Sequence, residues 1–124
     1  MRAKVLLYGI GNESGRDRAL RTILREMKLL TLDVTEARLG ETVGRLVSTN
    51  AAAAPSGPSE AAPETEFMLL CALGDRQLDR LLAAMRRAGA VVPYKAVLTE
   101  QNRSWTLERL IREVVREHEA LSGK

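Results

Sequence analysis

Lys4-Val-Leu-Leu-Tyr-Gly-Ile10 is apolar almost throughout and runs directly into Gly11, Asn12, Ser14 and Gly15. A run this short and this uniformly apolar, closed by turn-forming residues, reads as a buried central strand. Leu20, Ile23, Leu24 and Met27 then recur at helical spacing, with Arg18, Arg21, Arg25 and Glu26 on the opposite side, so an amphipathic helix follows the strand. Leu29 to Val34 reads as a second strand. After it, Thr35 is placed to cap a short helix that carries Leu39, Val43, Leu46 and Val47 on one face. Gly40 and Gly44 weaken that helix by about 1 kcal/mol each relative to alanine.

The second half repeats the plan. Phe67-Met-Leu-Leu-Cys71 reads as another buried strand, Gly74 and Asp75 as turn and N-cap, and Leu78, Leu81, Leu82 and Met85 as a helix face closed by Gly89. Val91 to Leu98 is the fourth predicted strand. Pro93 cannot donate a ladder hydrogen bond, which assigns it to the strand's beginning or to a sheet edge. The last predicted helix buries Leu107, Leu110, Ile111, Val114, Val115 and Leu121 and leaves Arg109, Arg112, Glu113, Arg116, Glu117 and Glu119 in water. Between the halves, residues 49–65 are rich in Ala, Pro and Ser. With almost nothing large to bury, they cannot offset their ordering entropy and read as a flexible linker.

The chain is therefore expected to be a single α/β domain over residues 1–124, built from two βαβ-like halves, 1–48 and 66–121. Right-handed crossovers favour a small four-stranded, mostly parallel sheet of order 2-1-3-4 with helices on both faces. The alternative is a ferredoxin-like α+β arrangement with the linker as one long connection.

Composition excludes several classes. No apolar run approaches the roughly 20 residues of a membrane-spanning helix, and the N-terminus lacks a small-residue cleavage site, so a cytoplasmic protein is expected. The only cysteine, Cys71, has no partner for an internal disulfide. The net charge of +3 is modest, and the four aromatic residues Tyr8, Phe67, Tyr94 and Trp105 are too scattered to form the stacking platform of a single-strand binder. Nucleic acid is thus not the expected partner.

Three stretches carry more specific information: Glu66-Phe-Met-Leu-Leu-Cys71, Asp75-Arg-Gln-Leu-Asp-Arg-Leu-Leu82 and Tyr94-Lys-Ala-Val-Leu-Thr-Glu-Gln-Asn-Arg-Ser-Trp-Thr106. Together with Arg116-Glu-His-Glu119 they resemble the bacterial family of domains of unknown function numbered 3783. The resemblance covers residues 66 to 119 well. It reaches the first half more loosely, through Val5-Leu-Leu-Tyr-Gly9 and Glu41-Thr-Val-Gly-Arg-Leu46. That family has no established activity, so the resemblance implies no functional residues, and the Ala/Pro/Ser segment departs from its pattern.

Candidate sites come from the residues themselves. Gly9-Ile-Gly-Asn-Glu-Ser-Gly15 lies between strand and helix, the context in which free amides meet phosphate, but a dinucleotide fingerprint needs Gly or Ala at Ser14, and a P-loop needs Lys-Ser/Thr where Arg16-Asp17 stands. It is either a plain turn or an anion site assisted by Arg16. Asn102 or Ser104 is expected to cap the last helix, with Trp105 as a structural anchor on the sheet. Were all strand ends to point one way, Gly11, Asn12, Arg16, Gly74, Thr99, Asn102 and Arg103 would line a single ligand crevice. Lys95 reads as a snorkelling edge residue, His118 as an exposed residue near a helix end, and Cys71 as a small buried hydrophobe. No catalytic residue, metal site or cofactor is expected. The expected function is that of a small binding or regulatory module acting through protein contacts or self-association, at the edge strand after Pro93 and the final helix. The alternatives are an enzyme or sensor for a phosphate-bearing small molecule and a weak nucleic-acid binder.

Overall fold

The computed structural model describes residues 2–48 and 65–121. The proposed linker, apart from Thr65, lies outside the described residues. The element order is β1 (Lys4–Tyr8), α1 (Gly15–Glu26), β2 (Leu30–Val34), α2 (Val43–Ser48), β3 (Phe67–Cys71), α3 (Asp75–Ala88), β4 (Lys95–Val97) and α4 (Leu107–Leu121). Short 3-10 helices, Glu36–Arg38 and Asn102–Ser104, precede α2 and α4.

The four strands form one sheet of order β2-β1-β3-β4. β1 pairs with β2 in parallel, and β3 with β4 in parallel. The central pair runs the other way: β1 and β3 are antiparallel, with Lys4 opposite Cys71, Leu6 opposite Leu69 and Tyr8 opposite Phe67. Two βαβ units thus meet back to back. Ferredoxin-like splitting is excluded because each unit's strands are direct neighbours.

Every residue of β1 and β3 is buried, as the apolar runs Val5–Tyr8 and Phe67–Cys71 require of strands covered on both faces, and Lys4 at the start of β1 donates its Nζ to the Val47 carbonyl. One face packs on α1 and α3 through Val5, Leu7, Met68, Leu70, Leu20, Leu24, Leu81 and Met85. The other packs on α2 and α4 through Leu6, Phe67, Leu69, Val43, Leu46, Val47, Leu107, Leu110 and Ile111. Alternation along the strands sends successive side chains to opposite layers.

Caps differ in part from the sequence reading. Ser14 starts α1, its Oγ accepting from the Asp17 amide at 3.0 Å. Thr35 makes no side-chain cap; it precedes the Glu36–Arg38 turn, and Thr42 caps α2 instead, accepting from the Arg45 amide at 3.4 Å. Likewise Thr106, rather than Asn102 or Ser104, caps α4 and accepts from the Arg109 amide at 3.2 Å. Gly74, not Asp75, holds the N-cap of α3. Only Lys95–Val97 of the fourth predicted strand joins the sheet, since Pro93 breaks the ladder ahead of it. Leu121 is 89% exposed because the last turns of α4 outlast the layer beneath them.

Candidate functional site

The antiparallel centre of the sheet separates the strand-end loops. The β1 end, with Gly11, Asn12 and Arg16, lies at one end of the sheet beside the start of β3. Gly74 and the Thr99–Arg103 loop lie at the opposite end, after β3 and β4. The expected shared crevice therefore does not exist.

At the β1 end the polar groups are occupied by one another. The Arg16 guanidinium donates to both carboxylate oxygens of Glu66, one of them at 2.5 Å, and to Asp17 at 2.7 Å. These bonds, with Glu66 first and Asp17 second, raise the Arg16 pKa. The Arg16 contact holds the Asp17 carboxyl below its ordinary value, helped by the nearby Ser14 hydroxyl and Arg21. Arg21 donates to both oxygens of Asp33 and to the carbonyls of Gly11 and Ile10 at 2.9 and 3.0 Å. The arginines thus fasten the loop to β2 and β3 instead of opening toward a ligand. Gly11 and Asn12 are exposed.

At the other end Asn102 organises the loop. Its Oδ1 accepts from the Thr99 amide at 2.9 Å, its Nδ2 donates to the Val97 carbonyl at 3.0 Å, and its own amide donates to Thr99 Oγ1 at 3.0 Å. Thr99 and Asn102 line a cavity of about 200 Å³ together with Gln101, Trp105, Glu113 and Glu117. Two carboxylates on its wall oppose a phosphate. Trp105 packs half-buried against the α2/α4 core, and the Arg109 guanidinium stacks 4.2 Å from its ring centroid. Arg103 covers Gly44, whose missing side chain leaves room for the Arg103 backbone: an added Cβ would sit 3.0 Å from its carbonyl oxygen. Gly74 is exposed, with open space around it.

A larger groove of about 630 Å³ was not anticipated. It is lined by Thr65, Tyr94, Ile111, Val115, Arg112, Arg116 and Glu119 along the outer half of α4. Ile111, Val115 and Glu119 fall at four-residue intervals on one helical stripe, the one sequence signal that could have found it. His118 makes an edge contact with Tyr94, ring centroids 5.1 Å apart, beside this groove. Arg112 and Arg116 reach back to Glu108 and Glu113 on the same helix.

The remaining candidates have structural roles. Lys95 Nζ donates to the Val92 carbonyl at 2.6 Å, and burial lowers its pKa. Burial pushes the Cys71 thiol up to about 12, which makes it a poor nucleophile. Among the described residues no group of three or more His, Cys, Asp or Glu side chains gathers as a metal site requires, and no helix is long and apolar enough to cross a membrane.

Residues 66–121, from the start of β3 to the end of α4, match the family model described as Domain of unknown function (DUF3783). This segment, a little under half of the chain, is similar to the DUF3783 family. No curated protein and no solved structure matches the chain. The DUF3783 match contains the Asn102 loop, Trp105 and the α4 side of the groove, and the Arg16 end of the sheet meets it through Glu66 and the Tyr8–Phe67 pair.

Proposed function

We propose that this protein is a non-catalytic cytoplasmic binding module whose contact surface for a partner protein is the groove along α4. The observation that carries this reading is the contrast between the groove and the loops. The groove keeps apolar surface from half-buried Tyr94 and Val115 within reach of solvent over a floor of buried Ile111, while Arg16, Arg21 and Asn102 at the two sheet ends are engaged in internal hydrogen bonds. Its rim of Arg112 and Arg116 beside Glu119 favours a partner segment that presents an apolar side chain flanked by acidic residues.

A photo-crosslinking residue placed at Val115, compared with one placed at exposed Arg18, tests this in cells. A defined adduct at Val115 that Arg116→Glu abolishes supports the reading. Equal labelling at both positions, or metabolite turnover that disappears on Arg103→Ala, overturns it. The rival reading of a phosphate-bearing ligand requires one loop acting alone, with Arg16 withdrawn from Glu66. A melting shift with nucleotides that is lost in Arg16→Ala would favour that reading instead.

A further inference from the structure

We infer that residues 4–48 are a second, diverged copy of the DUF3783 unit, and that the contact between the two copies is a pairing surface which a second copy of this chain can supply in trans. This inference is independent of the α4 groove.

The correspondence extends beyond what two generic βαβ units share. After β1 the chain runs Tyr8-Gly9-Ile10-Gly11, and after β3 it runs Cys71-Ala72-Leu73-Gly74. In each case the residue after the strand is left-handed, with φ 73° at Gly9 and 62° at Ala72. An alanine rarely adopts this conformation, which costs roughly 1–2 kcal/mol, so the backbone path persists where its side chain no longer favours it. Both crossover helices end alike. Lys28 (φ 59°) and Gly89 (φ 66°) take the left-handed position. The next amides, of Leu29 and Ala90, bond to the Leu24 and Met85 carbonyls at 2.9 and 2.8 Å.

Where the second strand of each unit ends, Val34-Thr-Glu36 corresponds to Leu98-Thr-Glu100. A 3-10 helix starts at Glu36 in the first unit and, two residues later in this register, at Asn102 in the second. Then Thr42-Val-Gly-Arg-Leu46 corresponds to Thr106-Leu-Glu-Arg-Leu110. The two motifs also meet in space. Thr42 and Thr106 form an antiparallel bridge, the Val43 amide donates to the Trp105 carbonyl at 2.9 Å, and the Leu107 amide donates to the Glu41 carbonyl at 3.0 Å. Each bond is the image of the other under a two-fold rotation about an axis through this bridge and the Leu6–Leu69 pair. The chemistry has diverged within that frame: Arg45 approaches Glu41 at 3.6 Å where Arg109 stacks on Trp105.

A two-fold interface is self-complementary, so whatever one copy offers the other, a second chain offers equally. Here the surface comprises the fully buried edge-to-edge pairing of β1 with β3, the α1–α3 contact and the Thr42–Thr106 seam. Pairing within one chain is favoured only by the high effective concentration that the connection between Ser48 and Thr65 provides. The two ends of that connection lie near opposite ends of β1: Val47 bonds to Lys4, and Thr65 abuts Gly9. They are separated by a span on the order of 15 Å.

The test uses the bridge as a reporter, since opposed residues of this kind lie within disulfide distance. Full-length Thr42→Cys and Thr106→Cys chains are unfolded together, refolded over a range of concentrations and then oxidised with oxidised glutathione. A covalent heterodimer whose yield rises with protein concentration is expected; none at any concentration would overturn the inference. In a second variant carrying both substitutions, deletion of residues 50–64 leaves a reach of roughly 7 Å. Its expected state is a dimer by sedimentation, with the disulfide joining two chains on a non-reducing gel. A folded monomer, or a dimer with the disulfide inside each chain, would refute it.

Discussion

Thr42 and Thr106 face each other across the middle of the α2/α4 layer, each capping its own helix while its neighbours exchange backbone hydrogen bonds with the other's. The start of α2 and the start of α4 are therefore fixed to one another. The Asn102 loop, Trp105 and α4 inherit their position from a contact with the other half of the chain.

The left-handed positions give a first prediction. Lys28→Gly is expected to stabilise the fold by about 0.5–1 kcal/mol, and Gly89→Ala to destabilise it by about 1 kcal/mol, because the two residues hold equivalent helix ends. Gly9→Ala is expected to cost more, about 2–3 kcal/mol, since its Cβ would also sit 2.4 Å from the Thr65 carbonyl oxygen. Urea denaturation midpoints measure all three.

Asn102→Ala is expected to lower stability by about 2–4 kcal/mol, because it leaves the Thr99 amide and the Val97 carbonyl without their partner. Thermal unfolding monitored by circular dichroism checks this. A loss below about 1 kcal/mol would mean that the loop is held by other contacts.

The Arg16–Asp17–Glu66 cluster predicts a response to acid. Asp17 has a folded pKa below its ordinary 3.8. The folded state therefore binds its proton more weakly than the unfolded state, and the resulting stability is complete above 3.8 and lost as pH falls through the lowered folded value. Asp17→Asn should be less stable than the natural chain at neutral pH, with the gap shrinking below about pH 4. Urea titrations across that range measure it.

Cys71 should react only when the protein opens. Its side chain is buried, and its thiol is pushed up to about 12. The expected result is an iodoacetamide labelling rate that rises with urea in step with global unfolding. Rapid labelling in the absence of denaturant would contradict the burial.

Much of the site was legible locally, and the misreadings have identifiable causes. Ser14, Gly89 and the buried faces of α1 and α3 followed from spacing and turn chemistry, which depend on near neighbours alone. Thr35 resembles a cap in sequence because it follows a strand and precedes an apolar stripe. The extra 3-10 turn at Glu36–Arg38 moves that role to Thr42. Asn102 lost its expected cap in the same way, with Thr106 taking it. Arg16 looked available in sequence because its partner Glu66 lies in the other half of the chain.

The four strands, the four helices and the family resemblance of the second half are legible in the residues alone, which also favour the order 2-1-3-4 over a ferredoxin-like arrangement. These rest on apolar periodicity, on caps and on crossovers short enough to fix the direction of strands within each unit. Packing in three dimensions is what sets the two units antiparallel, which places their loops at opposite ends of the sheet and Arg16 against Glu66. The physical reason is that direction within a βαβ unit is imposed by its own right-handed crossover. Between the units, the long connection imposes none, so the choice fell to the packing of β1 against β3, α1 against α3, and Thr42 against Thr106.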